Sequence, residues 1–348
     1  MSLALRTEPS MHPFHEEHLH HTSLTPSYRN DLRNPDNVDK FITANPVHDW
    51  SQLNWKKIGK PVQVKKLAKE RLDWEQEHQE PMPVKTSWEF FNRSFHSWFI
   101  KDVPAELNSN MKALSKSAAT FKLQEIKHVL GSVVRLSLWN YAHRIEDGIW
   151  DPRGKRALFE GLDVKKPRIL FLGAAEGYEA MQLSAMYPGG EAVLVDYDAF
   201  CRTDRFGHFP SSYPFLGANP ATGGPKVWYK DQMNIEYVVD DIRNLKYGKE
   251  FDIVLSVGLL EHVPDEYKSE IIDFHRRFVK PGGYIIMTTP RNQFKSRLYY
   301  TIMADVMNHT YRELMDIRQM GLYCYENGLD IIRHGFIKVH NGIVAQVR

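Results

Sequence analysis

From residue 168 onward the chain alternates short, almost wholly apolar runs with stretches of helical period. Residues 168–173, 192–196, 235–239, 251–257 and 284–289 are rich in Val, Ile, Leu and Phe, as in strands buried on both faces. Between and after them, 176–187, 269–279 and 311–327 read as helices, the first ended by Pro188-Gly189-Gly190. The chain closes with β-type runs at 329–339 and 343–347 around His340-Asn341-Gly342, and Asn-Gly between such runs signals a type I′ hairpin turn. Alternating strand and helix predict an α/β fold with a doubly wound, mostly parallel sheet, here ending in an antiparallel hairpin.

The first half has a different pattern. Residues 1–50 hold Pro9, Pro13, Pro26, Pro35 and Pro46 without a sustained apolar period, and read as mostly irregular. His12, His15, His18, His20 and His21 crowd the start; imidazole binds metal well, but an irregular tail fixes no ligand geometry. Residues 56–71 carry seven basic side chains against Glu70, and the spacing of Val64, Leu67, Ala68 and Leu72 suggests a charged helix with one apolar stripe. Thr86-Ser-Trp-Glu89 has the form of a capping box and opens a helix whose Trp88, Phe91, Phe95, Trp98 and Phe99 share one face. A second helix is expected at 118–140. The expected organisation is a polar extension (1–85), a helical lid or oligomerisation region (86–165), and an α/β domain (166–348) with an insertion at 199–234.

Composition narrows the function classes. Of 348 residues, 42% are hydrophobic, and 45 Lys and Arg nearly balance 43 Asp and Glu, a formal net charge of +2. The strong basic excess typical of nucleic-acid binding is absent, which argues against such a partner. No apolar run reaches the ~18–20 residues of a membrane span, and the N-terminus lacks a secretory pattern. Cys201 and Cys324 form neither a disulfide framework nor a metal knuckle. A soluble cytoplasmic protein without a metal is expected.

In a doubly wound sheet the ligand sits at the carboxyl ends of the strands, beside the first glycine-rich turn. That turn is Gly173-Ala174-Ala175-Glu176-Gly177. Ala175 and Tyr178 replace glycines of the dinucleotide pattern GxGxxG, which weakens a nicotinamide or flavin reading. The second strand ends in Asp196-Tyr197, where a carboxylate can accept both ribose hydroxyls, and the third in Asp240-Asp241-Ile242, where an acid can take an exocyclic amine. The fourth runs Phe251-Asp-Ile-Val-Leu-Ser-Val257-Gly258-Leu-Leu-Glu261-His262-Val263, and Lys280-Pro-Gly-Gly283 precedes the fifth.

On these motifs, residues 168–348 resemble the class I S-adenosylmethionine-dependent methyltransferases, in particular small-molecule members with an LEHV segment and a KPGG turn. The resemblance implies a Rossmann-like seven-stranded sheet with its last strand antiparallel. It implies S-adenosylmethionine as cofactor and S-adenosylhomocysteine as product. Gly173, Ala174, Ala175 and Gly177 would line the methionine part, and Asp196, followed by Tyr197, would hold the ribose. Asp240, Asp241 and Ile242 would bracket the adenine, and Val257 and Gly258 would lie beside the sulfonium. Two positions depart from the pattern: Phe171 stands where an acid is usual, and Ala175 where glycine is. Glu176 is a candidate to replace the missing carboxylate near the methionine amino group.

Methyl transfer is an in-line displacement that needs orientation, exclusion of water and, for some acceptors, a base. His262 and Glu261 are the catalytic candidates; His262 fits either a general base or a residue that pins the loop. A metal site of Glu261, His262 and Asp265 lacks a well-spaced further ligand. Arg291, Tyr299, Tyr300, His309 and Arg312 follow the fifth strand and are expected at the acceptor pocket. The 36 residues between Asp198 and Ile235 exceed the usual connection and suggest an aromatic-lined flap near the adenosine. Around His143, residues 141–154 resemble the approach segment of carboxymethyl-uridine tRNA transferases. The leading expectation is a methyltransferase with a small-molecule O-, N- or S-acceptor, with a homodimer as its possible assembly. The alternatives are an RNA (tRNA) methyltransferase or carboxymethyltransferase, and a non-catalytic S-adenosylmethionine-binding protein.

Overall fold

The computed structural model describes residues 47–100 and 158–348, apart from 210, 212–214 and 338. The expected helix 118–140, His143 and the histidine-rich start lie outside the described residues. The chain divides into two units, Met1–Tyr28 with Ser97–Asp151 and Arg29–His96 with Pro152–Arg348. Residues 86–96 of the expected 86–165 region fall in the unit that holds the sheet.

Seven strands form the sheet of the larger unit: β1 (Arg168–Leu172), β2 (Glu191–Asp196), β3 (Ile235–Val239), β4 (Phe251–Val257), β5 (Val279–Pro290), β6 (Leu329–Ile337) and β7 (His340–Val347). Their order is β6-β7-β5-β4-β1-β2-β3. Strands β1 to β5 pair in parallel, and β7 runs antiparallel between β5 and β6. The helices that matter here are α1 (Lys69–His78), α2 (Val84–Phe95), α3 (Tyr178–Met186), α4 (Lys268–Phe278), α5 (Phe294–Ile302) and α6 (Ile317–Glu326). Alternate strand residues feed opposite faces. Leu170, Leu172, Val193, Val195 and Val254 pack on Ile272 and Phe278 of α4 and Met320 of α6. Ile169, Phe171, Leu194, Ile253 and Leu255 pack on Ala180 and Leu183 of α3. Phe171, where the related pattern has an acid, is therefore a core residue.

Four local expectations are corrected. The C-terminal hairpin exists, but Ile337 pairs with His340, so the turn lies ahead of Asn341-Gly342, which sit inside β7. The buried Asn341 Nδ2 donates to the Met315 carbonyl at 2.8 Å. A Cβ on Gly342 would come within 2.8 Å of Ile337 and 2.9 Å of Leu158, so glycine serves packing there. The KPGG segment lies within β5 as a register shift against β4, rather than as a turn before it. Residues 56–71 are not one helix. A short helix (Trp55–Ile58) is followed by Pro61, and Val62–Gln63 then pairs antiparallel with Glu313–Leu314. The backbone bonds Val64 N–H to Arg312 O and Ala68 N–H to Asn308 O continue this ribbon, which satisfies through distant partners what a local helix would have satisfied itself. Finally, α2 starts at Val84 after Pro83, so Thr86 and Glu89 lie inside the helix and form no capping box.

The insertion is anchored rather than a free flap. A π-helical turn (Cys201–Phe206) leads to a hairpin of Phe215–Ala218 and Pro225–Trp228. Phe215 is fully buried against Tyr178, Met181 and Ala185 of α3. A Cβ on Gly217 would stand 1.8 Å from the Ala185 carbonyl oxygen, a backbone atom that cannot swing aside. Gly217→Ala should therefore lift the hairpin and cost about 1–3 kcal/mol. A lowered unfolding midpoint in urea checks this; an unchanged midpoint would contradict the packing.

Candidate active site

The strand order reverses direction of growth between β1 and β4, and the crevice at their carboxyl ends is where such sheets bind ligands. Gly173 and Leu259 meet there: a Cβ on Gly173 would lie 3.7 Å from Leu259 Cδ1.

On the β1 side, the turn 173–177 holds three residues at positive φ: Gly173 (+67°), Ala175 (+48°) and Gly177 (+77°). Ala175 accepts a conformation that favours glycine because both its peptide groups are held. Its N–H donates to Asp196 Oδ2 at 3.1 Å, and its carbonyl accepts the Tyr237 hydroxyl at 2.7 Å. Asp196 Oδ1 accepts the Asp198 N–H at 3.2 Å. Burial pushes the Asp196 carboxyl up against these bonds. Tyr197, next along, donates its hydroxyl to the Val84 carbonyl at 3.3 Å. Asp240 Oδ1 caps the Asp241 N–H at 2.7 Å, while Asp241 pairs with Arg243 at 2.5 Å, which lowers its carboxyl pKa.

Glu176 is buried and paired with Arg205 of the insertion at 2.5 Å. Arg205 Nη1 also donates to Asn92 Oδ1 at 2.8 Å, and Asn92 Nδ2 donates to Asp198 Oδ2 at 3.0 Å. Helix α2 is thus tied to the glycine-rich turn. Neither Arg205 nor Asn92 was indicated by sequence: polar residues of a loop and of a helix separated by 113 positions carry no local sign that they meet.

On the β4 side, Glu261 and His262 follow Gly258 in a 3₁₀ turn (Leu260–His262). A Cβ on Gly258 would lie 3.2 Å from Glu261 Oε1. Glu261 is 1% exposed, and neither carboxylate oxygen has a hydrogen-bond partner among the described residues. Arg312 Nη1 stands 3.6 Å away and His262 Nε2 3.8 Å. Burial pushes the Glu261 carboxyl up to about 7, with Arg312 opposing. The His262 side chain is also buried: its Nδ1 lies 2.7 Å from the Tyr311 carbonyl and 2.9 Å from Thr310 Oγ1, and its ring lies tilted against Trp88 of α2, with centroids 4.5 Å apart. Burial and Arg312 hold its pKa well below the usual histidine value. Lys268 fixes this loop from beneath, donating to the Leu260 and Val263 carbonyls at 3.2 and 2.6 Å and pairing with Glu313 at 2.8 Å.

Of the other expected acceptor residues, Tyr300 joins the cluster through the Arg312 Nη1 bond to its hydroxyl at 3.4 Å. Tyr299 lies edge-on to Tyr300 at 5.2 Å. Two are not brought to Glu261. His309 is bound to Glu70 of α1 at 3.0 Å, and the Arg291 guanidinium stacks over Phe336 at 3.7 Å. Chain direction explains the difference, since the backbone between α5 and α6 turns His309 towards α1 and Arg312 towards β4. Among the described residues no group of three His, Cys, Asp or Glu side chains converges as a metal site, and no helix is long and apolar enough to cross a membrane.

Sheet order, glycine-rich turn and acidic β2 terminus together have the form of a class I S-adenosylmethionine-dependent methyltransferase domain. A family described as a methyltransferase domain matches residues 141–334, more than half of the chain, and the protein belongs to that family. Ubiquinone biosynthesis O-methyltransferase of Coxiella burnetii is 30% identical over 111 residues, which is 30% of this chain and 47% of that protein. Its counterpart in Pseudomonas aeruginosa is 30% identical over 89 residues, 24% of this chain and 38% of that one. The matches thus span less than half the length of these relatives. Among solved structures, human N-acetylserotonin methyltransferase in complex with SAM aligns over 75% of this chain and 66% of its own, at 14% identity and a TM-score of 0.43. A Burkholderia thailandensis 1,6-didemethyltoxoflavin-N1-methyltransferase aligns over 63% and 89%, at 12% identity and a TM-score of 0.39.

Proposed function

We propose that the protein transfers a methyl group from S-adenosylmethionine to a small-molecule acceptor. The observation that carries the reading is the crevice itself: a turn whose Gly173, Ala174 and Ala175 bear no large side chain, with the Ala175 N–H bonded to the carboxylate of Asp196. The residues present fit the cofactor. Asp196 would receive the ribose hydroxyls, Tyr197 and the Asp240–Ile242 corner would flank the adenine, and Val257 and Gly258 would border the sulfur. When bound, S-adenosylmethionine supplies an electrophilic methyl group.

The chain's own residues supply position, dryness and a proton site. Trp88 and Phe91 of α2 lie tilted against His262, and Phe95 lies against Arg205, so one helix spans both halves of the crevice and keeps water out. We assign His262 to positioning this wall: its Nδ1 is bonded to the Tyr311 carbonyl, and burial together with Arg312 lowers the basicity left at Nε2. Glu261 is the proton acceptor: a carboxyl with a pKa near neutrality and no hydrogen-bond donor of its own can take a proton from an acceptor hydroxyl or amine. Turnover should therefore rise with pH through about 7. His262→Asn should retain that limb and Glu261→Gln should lose it; the opposite pattern would assign the base to His262.

The balanced charge of the chain and the aromatic wall support a small acceptor over RNA. The two cysteines, both buried and unpaired, fit a reducing cytoplasm. The test is methyl-tritiated S-adenosylmethionine incubated with a small-molecule extract and, separately, with total RNA. Label in the small-molecule fraction is the expected result. Label in RNA would overturn the acceptor class, and label in neither would favour a protein that binds without chemistry.

A further inference from the structure

Helix α5 is seated through one face and bare on the other. Ser296 and Tyr300 are buried, and the Tyr300 carbonyl accepts Asn308 Nδ2 at 2.7 Å. On the outer face Phe294, Leu298 and Ile302 are 77%, 46% and 68% exposed. Their spacing of four residues stacks them in one row along the helix. A single exposed leucine needs no explanation, but three large apolar side chains on consecutive turns of one helix mark a contact surface. The charge around this row has one sign. From Arg291 to Ala304 the chain holds Arg291, Lys295 and Arg297 and no Asp or Glu. At about 100° per residue, the exposed Lys295 and Arg297 fall on opposite sides of the row. Lys66 adds a further cation at the end of the helix, where its Nζ donates to the Thr301 carbonyl at 3.0 Å. The first acid beyond α5, Asp305, accepts the Lys69 N–H at 2.9 Å.

We propose that the outer face of α5 docks the protein on an anionic phospholipid surface, with Phe294, Leu298 and Ile302 inserted below the headgroups and Lys295 and Arg297 beside the lipid phosphates. An apolar row rimmed by cations matches such a surface in both hydrophobicity and charge. A second copy of the chain fits less well, because a two-fold contact through α5 would set one basic rim against the other. The helix lies on the bilayer and does not cross it, since its 9 residues fall far short of the ~20 that a span needs. Its buried face carries Tyr300, whose hydroxyl accepts from Arg312 at 3.4 Å, so one helix separates the docked surface from the residues around Glu261.

The test floats the full chain through a density gradient with vesicles of phosphatidylcholine alone or with about 30% phosphatidylglycerol. The protein should rise with the anionic vesicles, hardly with the neutral ones, and less in about 0.5 M salt. Phe294→Ser/Ile302→Ser and, separately, Lys295→Gln/Arg297→Gln should each weaken vesicle binding about tenfold or more and keep the wild-type urea midpoint. No flotation with either vesicle, equal flotation with both, or binding unchanged in both double variants would overturn the assignment. A wild-type dimer that Phe294→Ser/Ile302→Ser converts to a monomer in sedimentation would also overturn it, because a second copy would then cover the row. A lowered urea midpoint in that variant would do the same by giving the row a place in the fold.

Discussion

Replacing Glu261 by Gln is expected to stabilise the protein by about 3 kcal/mol at pH 8, and by almost nothing near pH 4.5. In the unfolded chain this carboxyl titrates near 4.5, and in the folded protein burial raises it to about 7. Between those values the folded state keeps a proton that the unfolded state has released, so stability falls as pH rises from 4.5 through 7. Above pH 7 the protein carries an ionised carboxylate with no hydrogen-bond donor and Arg312 only at 3.6 Å. Glutamine has the shape of the protonated acid without this cost.

The wild-type profile alone would hide the effect, because His275 works in the opposite sense. Its Nδ1 donates to the Ile271 carbonyl at 2.8 Å, its Nε2 accepts from Ser256 at 2.9 Å, and burial lowers its pKa to about 4. The stability it contributes is present above pH 6.5 and is lost as pH falls towards 4. The readout is therefore the difference between Glu261→Gln and wild type in denaturant unfolding across that range. A difference independent of pH, or a destabilised variant at pH 8, would show that Glu261 is paired rather than held in reserve for chemistry. A gain in stability coupled to a loss of turnover is the expected signature of a site that stores an unfavourable charge for function.

Asp196→Ala is expected to weaken binding of S-adenosylhomocysteine by about 3 kcal/mol, more than a hundredfold, if the carboxylate receives the ribose. Part of that loss comes from the turn, since Ala175 and Asp198 each donate a backbone N–H to this carboxylate. Asp196→Asn separates the two contributions. It can still accept one backbone bond and should hold the turn better, yet it offers less to two hydroxyls, so its affinity should fall between wild type and Asp196→Ala. Equal affinity in all three would remove Asp196 from the site.

The sheet was legible because strands buried on both faces leave uninterrupted apolar runs, and the crevice followed from strand order and a glycine-rich turn. What was misread depends on distant partners. Residues 56–71 have a helical spacing, but pairing with Glu313–Leu314 and Pro61 override it. Asn341-Gly342 has the composition of a turn, yet a buried amide and the close approach of Leu158 and Ile337 place it within a strand. The Arg205–Asn92 bridge joins two stretches that carry no pattern linking them, and the high pKa of Glu261 arises from burial alone. His262 shows the same limit: its residue type fits either a base or a residue that pins the loop, and its contacts with Tyr311, Thr310 and Trp88 leave no sign in the sequence.

The central claim is that the crevice between the Gly173 turn and Gly258 binds S-adenosylmethionine. Titration calorimetry of the full chain with S-adenosylhomocysteine tests it most directly. Saturable binding at one site per chain, well below ~1 mM, is the predicted result. No heat of binding up to ~1 mM of either S-adenosylhomocysteine or S-adenosylmethionine would contradict it.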